Sequence, residues 1–93
     1  MMAQDTRPQL ARKARVRIDP VRRETLLLSP EHGLVLSTSA AAILGLCDGE
    51  RTLDDIVNVL ASRHPETARA EIERDVHELI GALSARGLLE ARS

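Results

Sequence analysis

The pattern of apolar and polar positions changes once along the chain, near residue 37. Before that point apolar residues alternate or fall in short runs; after it they recur every three or four positions. Ala14, Val16 and Ile18 alternate with Arg15, Arg17 and Asp19, the period-2 signature of a half-buried strand. Pro20 stops that strand, because proline has no N–H to donate to a ladder. Residues 24–29 hold the run Leu26, Leu27 and Leu28, too short for a helix and closed by Pro30, so a second strand is predicted. Residues 30–33 form a turn, and residues 33–37 form a third strand. The three read as an antiparallel meander. Leu26 and Leu28 face one side and Leu27 the other; Leu34 and Leu36 likewise oppose Val35.

The second half reads as helices. Ser37, Thr38 and Ser39 all offer N-caps for a helix over 40–47, rich in alanine and leucine and ended by Asp48 and Gly49. Thr52 caps a second helix, with Asp55 in its first turn and the stripe Leu53, Ile56, Val57 and Leu60; Pro65 stops it. A third helix spans 67–85, with Ile72, Val76, Leu79, Ile80 and Leu83 on its apolar face and Gly87 as its cap. Gly45 and Gly81 fall inside helices, where glycine costs about 1 kcal/mol against alanine, so close approach of another element is expected there. Residues 1–12 are polar with Pro8 among them and read as a flexible N-terminal arm; residues 13–93 read as the folded domain. The predicted class is α+β, a three-stranded antiparallel sheet followed by three helices (βββααα) in two layers.

Composition narrows what such a domain can do. The 93 residues suit one domain, 43% of them are hydrophobic, and none is Phe, Trp or Tyr, so the core is aliphatic. There is no aromatic cage for a quaternary ammonium and no stacking platform for single-stranded nucleic acid. The net charge is −1, yet residues 1–30 carry +4 and residues 31–93 carry −5. A basic and an acidic half suggest a partner-facing surface, although two solvated faces are the commoner cause. No stretch is apolar enough to span a membrane, and the start lacks the apolar region of a secretory signal, so a cytoplasmic protein without membrane association is expected.

Catalytic chemistry is hard to find. His32, His64 and His77 show no metal-ligand spacing with each other or with an acid, and no metal or cofactor is expected. Cys47, the only cysteine, sits in an apolar stretch, where a buried, reduced thiol is the common role. A thiol enzyme would need a histidine beside it and a setting that favours the thiolate. Glu71, Glu73, Asp75 and Glu78 lie among arginines on an amphipathic helix and read as a solvated, ion-paired face rather than an acid/base pair. Those acids, with Glu66, would repel phosphates, which argues against nucleic acid as a partner although a winged-helix-like shape remains open. The reading that survives is a binding protein, not an enzyme. The strand at 33–37 is short and uncharged, whereas sheet edges are usually blunted by charge or proline, and an extended peptide can add to such an edge. The same edge, with a patch of Leu27 and Val35, is also a candidate homodimer surface.

Several segments carry a resemblance. LVLSTSAAAILGLCDG at 34–49, followed by RTLDDIV at 51–57, is similar to the PqqD family, the small peptide chaperones of pyrroloquinoline quinone biosynthesis. RPQLARKAR at 7–15 and RGLL at 86–89 resemble it too, so the likeness covers about residues 7–90. The resemblance implies a winged-helix-like peptide-recognition domain of the kind found in ribosomal-peptide modification systems. The implied ligand is the precursor peptide PqqA, and the implied partner is the radical S-adenosylmethionine enzyme PqqE. It implies that the peptide pairs with the third strand and lies against the third helix. Leu34, Val35, Leu36 and Ser37 are then the strand contacts, and Glu73, Val76, His77 and Ile80 are expected across the groove.

Overall fold

The computed structural model describes residues 5–92. Its elements run β1 (Arg7–Leu10), β2 (Arg15–Asp19), β3 (Glu24–Leu28), β4 (Gly33–Leu36), α1 (Thr38–Leu44), α2 (Leu53–Arg63), α3 (Arg69–Ala85) and β5 (Leu89–Arg92). The predicted meander is present as an antiparallel sheet in the order β2-β3-β4, and the three helices follow it in an α+β arrangement. At the first turn Asp19 Oδ1 accepts from the N–H groups of Val21 and Arg22 at 3.0 and 3.3 Å, and Arg23 takes a left-handed φ of 56°.

Register sorts the side chains into two faces. Val16, Leu27 and Leu34 form one row and Ile18, Thr25 and Leu36 the next, on the face toward the helices. Arg15, Leu28 and Gly33, then Arg17, Leu26 and Val35, form the outer face. Leu27 on the central strand is buried in the core, a placement that contributes about 2 kcal/mol. It faces away from Val35, so the two form no common surface patch. The predicted half-buried face of β2 is also corrected. Ala14 is buried, but Val16 and Ile18 are exposed, because the sheet overhangs the helical layer at that edge.

The arm expected over residues 1–12 is corrected where it is described. Arg7–Leu10 is a strand that pairs antiparallel with β5, Arg7 opposite Arg92 and Leu10 opposite Leu89. The N–H of Gly49 donates to Pro8 O at 2.9 Å, that of Leu53 to Thr6 O at 3.0 Å, and that of Ala11 to Leu88 O at 2.9 Å. Pro8 and Ala11 are buried. Gly49 has a φ of 79°, and a Cβ there would collide with the Gln9 side chain, so glycine is required where the strand crosses the α1–α2 connection. Residues 1–4 of the predicted arm lie outside the described residues.

The helices follow their caps. Ser37 Oγ accepts from Ala40 N at 3.1 Å, and α1 ends at Gly45, earlier than predicted, because Leu46 and Cys47 bond back three residues in tighter turns. Thr52 and Asp55 form a reciprocal capping box at the start of α2. α3 begins at Arg69 rather than residue 67, and Gly87, at φ 72°, closes it while Leu88 N donates to Leu83 O at 2.9 Å. The aliphatic core joins Leu27 to Ile43, Leu53, Ile56, Val76 and Ile80. No close approach explains Gly81, since a Cβ there would meet nothing within 4 Å, and at Gly45 it would meet only ordinary contact with Ala41 O at 3.4 Å.

Candidate functional site

β4 is the last strand of its sheet, so its outer edge has no strand partner among the described residues. It carries no charged residue. Leu34 and Leu36 are half-buried on the inner face, and Val35 is 61% exposed on the outer face. Ser37 follows, its hydroxyl engaged as the α1 cap.

Two separate depressions, one at each end of this edge and walled on the far side by α3 and the residues just after it, outline a trough. At its lower end Ser37, Ser39, Ala40 and Ile43 face Asp75, Glu78 and Leu79. At its upper end Ser29, Glu31 and His32 of the β3–β4 turn face Arg86 and Leu88. β4 therefore starts beside the C-terminus of α3 and ends beside its middle. Past Ser39 the lower end continues into a cavity of about 140 Å³, lined by Ala42, Ile43, Leu60 and Ile72 with His64 and Asp75 among its polar groups. The trough is acidic at its lower end, through Asp75 and Glu78, and carries one charge of each sign at the upper end, Glu31 and Arg86.

The strand residues expected from the sequence lie together at this edge; of the expected helix residues only Val76 reaches the site, in the wall of the inner cavity. Val76 is fully buried and Ile80 is 1% exposed, so both are core residues that support the trough from beneath. Glu73 pairs with Arg69 at 3.2 Å, and Arg69 also reaches Asp54 of α2 at 3.3 Å, so Glu73 faces α2. His77, four residues on, shares that flank. The flank beside β4 is instead that of Asp75, Glu78, Leu79 and Arg86. The signal for it was Leu79, which widens the apolar stripe to one side of the line through Ile72, Val76, Ile80 and Leu83.

Groups with reactive potential lie elsewhere or are quenched. Burial, with the Asp48 charge beside it, pushes the Cys47 thiol up to about 12, so almost none is thiolate at neutral pH. Its Sγ is 3.4 Å from Ile43 O. The α3 acids are surface groups, with Arg74 near Asp75 at 3.8 Å. No cluster of three metal-ligating side chains occurs among the described residues.

Known proteins share this sequence pattern and this fold. The family model of coenzyme PQQ synthesis protein D (PqqD) matches residues 24–89. A PqqA binding protein of Rhodopseudomonas palustris strain TIE-1 is 40% identical over 92 residues, covering 98% of this chain and 89% of its own. A bifunctional coenzyme PQQ synthesis protein C/D of Methylorubrum extorquens is 35% identical over 83 residues, covering 89% of this chain and 22% of that one. Among solved structures, the PqqD truncation of Methylobacterium extorquens PqqCD, described as a functional, stand-alone recognition element for ribosomally synthesized and modified peptides, superposes with a TM-score of 0.78 at 34% identity, over 96% of this chain and 93% of that one. TbiB1 in complex with the TbiA(beta) leader peptide shares the fold, with a TM-score of 0.76 at 20% identity, over 91% and 98% of the two chains.

Proposed function

The chain belongs to the PqqD family, and from that premise we propose that it is a non-catalytic peptide chaperone of pyrroloquinoline quinone biosynthesis. It binds the precursor peptide PqqA as an added strand on β4 and presents it to the radical S-adenosylmethionine enzyme PqqE. One observation carries the binding step: the unpartnered, uncharged edge of β4 opens onto a trough with an apolar wall and charged ends. Main-chain hydrogen bonds to the edge supply affinity, and the trough selects side chains. Leu34, Val35, Leu36 and Ser37 lie along the peptide, and Leu79 gives its apolar contact from α3. Asp75 and Glu78 favour a basic peptide residue near Ser37. The relatives bearing the name PqqA binding protein support the choice of ligand. The presentation to PqqE rests on family resemblance. Titration of isotope-labelled protein with PqqA tests the binding step. Amide shifts concentrate in residues 33–37 and at Asp75, Glu78, Leu79 and Arg86; shifts confined to Glu73 and His77 refute the site, and absence of binding refutes the function.

A further inference from the structure

The three-stranded sheet has a second free edge. β2 lies at the end opposite β4, and among the described residues no strand covers it. Alternation gives this strand two chemistries. Val16 and Ile18 point to the helix side but overhang the core, and Ile18 is 69% exposed. Val21, in the turn that follows, is 89% exposed. Arg15 and Arg17 point to the outer face, where Lys13, Arg15 and Arg17 line a depression together with Leu28 and Pro30. Arg22 and Arg23 extend the positive region into the turn, where Asp19 and Glu24 offset part of it. Among the described residues none of these cations makes an ion pair, whereas Arg51, Arg69, Arg74 and Arg92 all do.

Charge alone would blunt an edge strand. It does not account for exposed valine and isoleucine interleaved with unpaired cations, a combination that costs solubility unless a partner covers it. A second copy pairing on β2 sets arginine against arginine in the registers centred on Arg15, Val16 or Arg17, and Arg17 against Asp19 only in the one centred on Ile18, so charge disfavours most symmetric pairings here. The complement is a surface with carboxylates about 7 Å apart, two residues along an extended segment, around an apolar centre.

We infer that β2 and the outer face beside it are a second docking surface, one that takes an acidic protein surface, and that the enzyme receiving the peptide binds there. This rests on the presentation reading above. Two strand spacings, about 10 Å, separate the β2 edge from the β4 edge. A partner seated on β2 therefore reaches a peptide on β4 without displacing it, whereas a partner seated on β4 would compete with that peptide.

The test compares PqqE binding by the wild-type chain, by the double variant Arg15→Glu/Arg17→Glu and by Arg15→Lys/Arg17→Lys, with PqqA affinity measured in parallel. The glutamate pair loses about tenfold or more in enzyme affinity, the lysine pair retains most of it, and wild-type binding weakens as salt rises. PqqA affinity is unchanged in all three, which also reports that the variants fold. Undiminished enzyme binding by the glutamate pair overturns the surface while leaving presentation intact. A wild-type chain that binds PqqA but not PqqE overturns presentation and the surface with it. A dimer of the chain alone that the glutamate pair dissolves makes a second copy the occupant and also overturns it.

Discussion

The two edges of the three-stranded sheet share one backbone geometry and carry opposite side-chain chemistry. β4 presents Gly33, Leu34, Val35 and Leu36, with no charge to repel an incoming strand. β2 alternates Arg15, Arg17 and Asp19 with Val16 and Ile18. In the reading proposed above, one edge is left open to peptide backbone in general and the other is restricted by charge. The central strand, β3, is shared by both.

The largest effect comes from breaking that shared strand. Leu27→Ala removes a fully buried side chain and costs about 3 kcal/mol in urea unfolding, with both binding activities lost together once the fold fails. Leu79→Asp acts on one edge only. It places a carboxylate on the apolar wall opposite Ile43 and weakens PqqA binding by about tenfold or more, with PqqE affinity for the peptide-free chain retained. Equal losses at both surfaces would erase the distinction between the edges.

Smaller effects mark residues outside both edges. Thr52→Ala breaks the α2 capping box at a cost of about 1 kcal/mol and leaves PqqA affinity unchanged. The same box sets an acid limit. The Thr52 N–H and hydroxyl hold the Asp55 carboxyl below its usual 3.8, and the N–H groups of Arg51 and Glu50, with the Arg51 guanidinium, do the same for Asp48. A lowered folded pKa contributes stability that is present above 3.8 and is lost as pH falls through the folded value. Thermal midpoints measured against pH thus fall as pH drops from 3.8 to the folded values and level off below them, and Thr52→Ala flattens the fall. Gly81→Ala stabilises the chain by up to about 1 kcal/mol, since a Cβ there meets nothing, and spares peptide binding because Gly81 lies on the exposed side of α3 away from β4.

Local signals in the sequence located most of the fold. The alternation in 14–19, the prolines at 20 and 30, the Thr52 cap and the stripe from Ile72 to Leu83 each depend on neighbours within a turn or a strand. β1 and β5 were hidden because their partners lie at opposite ends of the chain and each strand is only four residues long, too short for its alternation to stand out. The exposure of Val16 and Ile18 was hidden for a related reason: alternation reports which side a residue takes, not how far the covering helices extend. The same limit split the site. The β4 edge was legible from its lack of charge. The helix contacts were not, because the apolar stripe of α3 has two flanks and only the assembled fold chooses the one with Asp75, Glu78 and Leu79 over the one with Glu73 and His77.

Backbone hydrogen exchange with and without PqqA reads both edges in a single experiment. Strand addition on β4 predicts slowed exchange at amides within residues 33–36 when the peptide binds, with amides 15–19 of β2 unchanged. Slowed exchange at 15–19 and none at 33–36 would contradict the account.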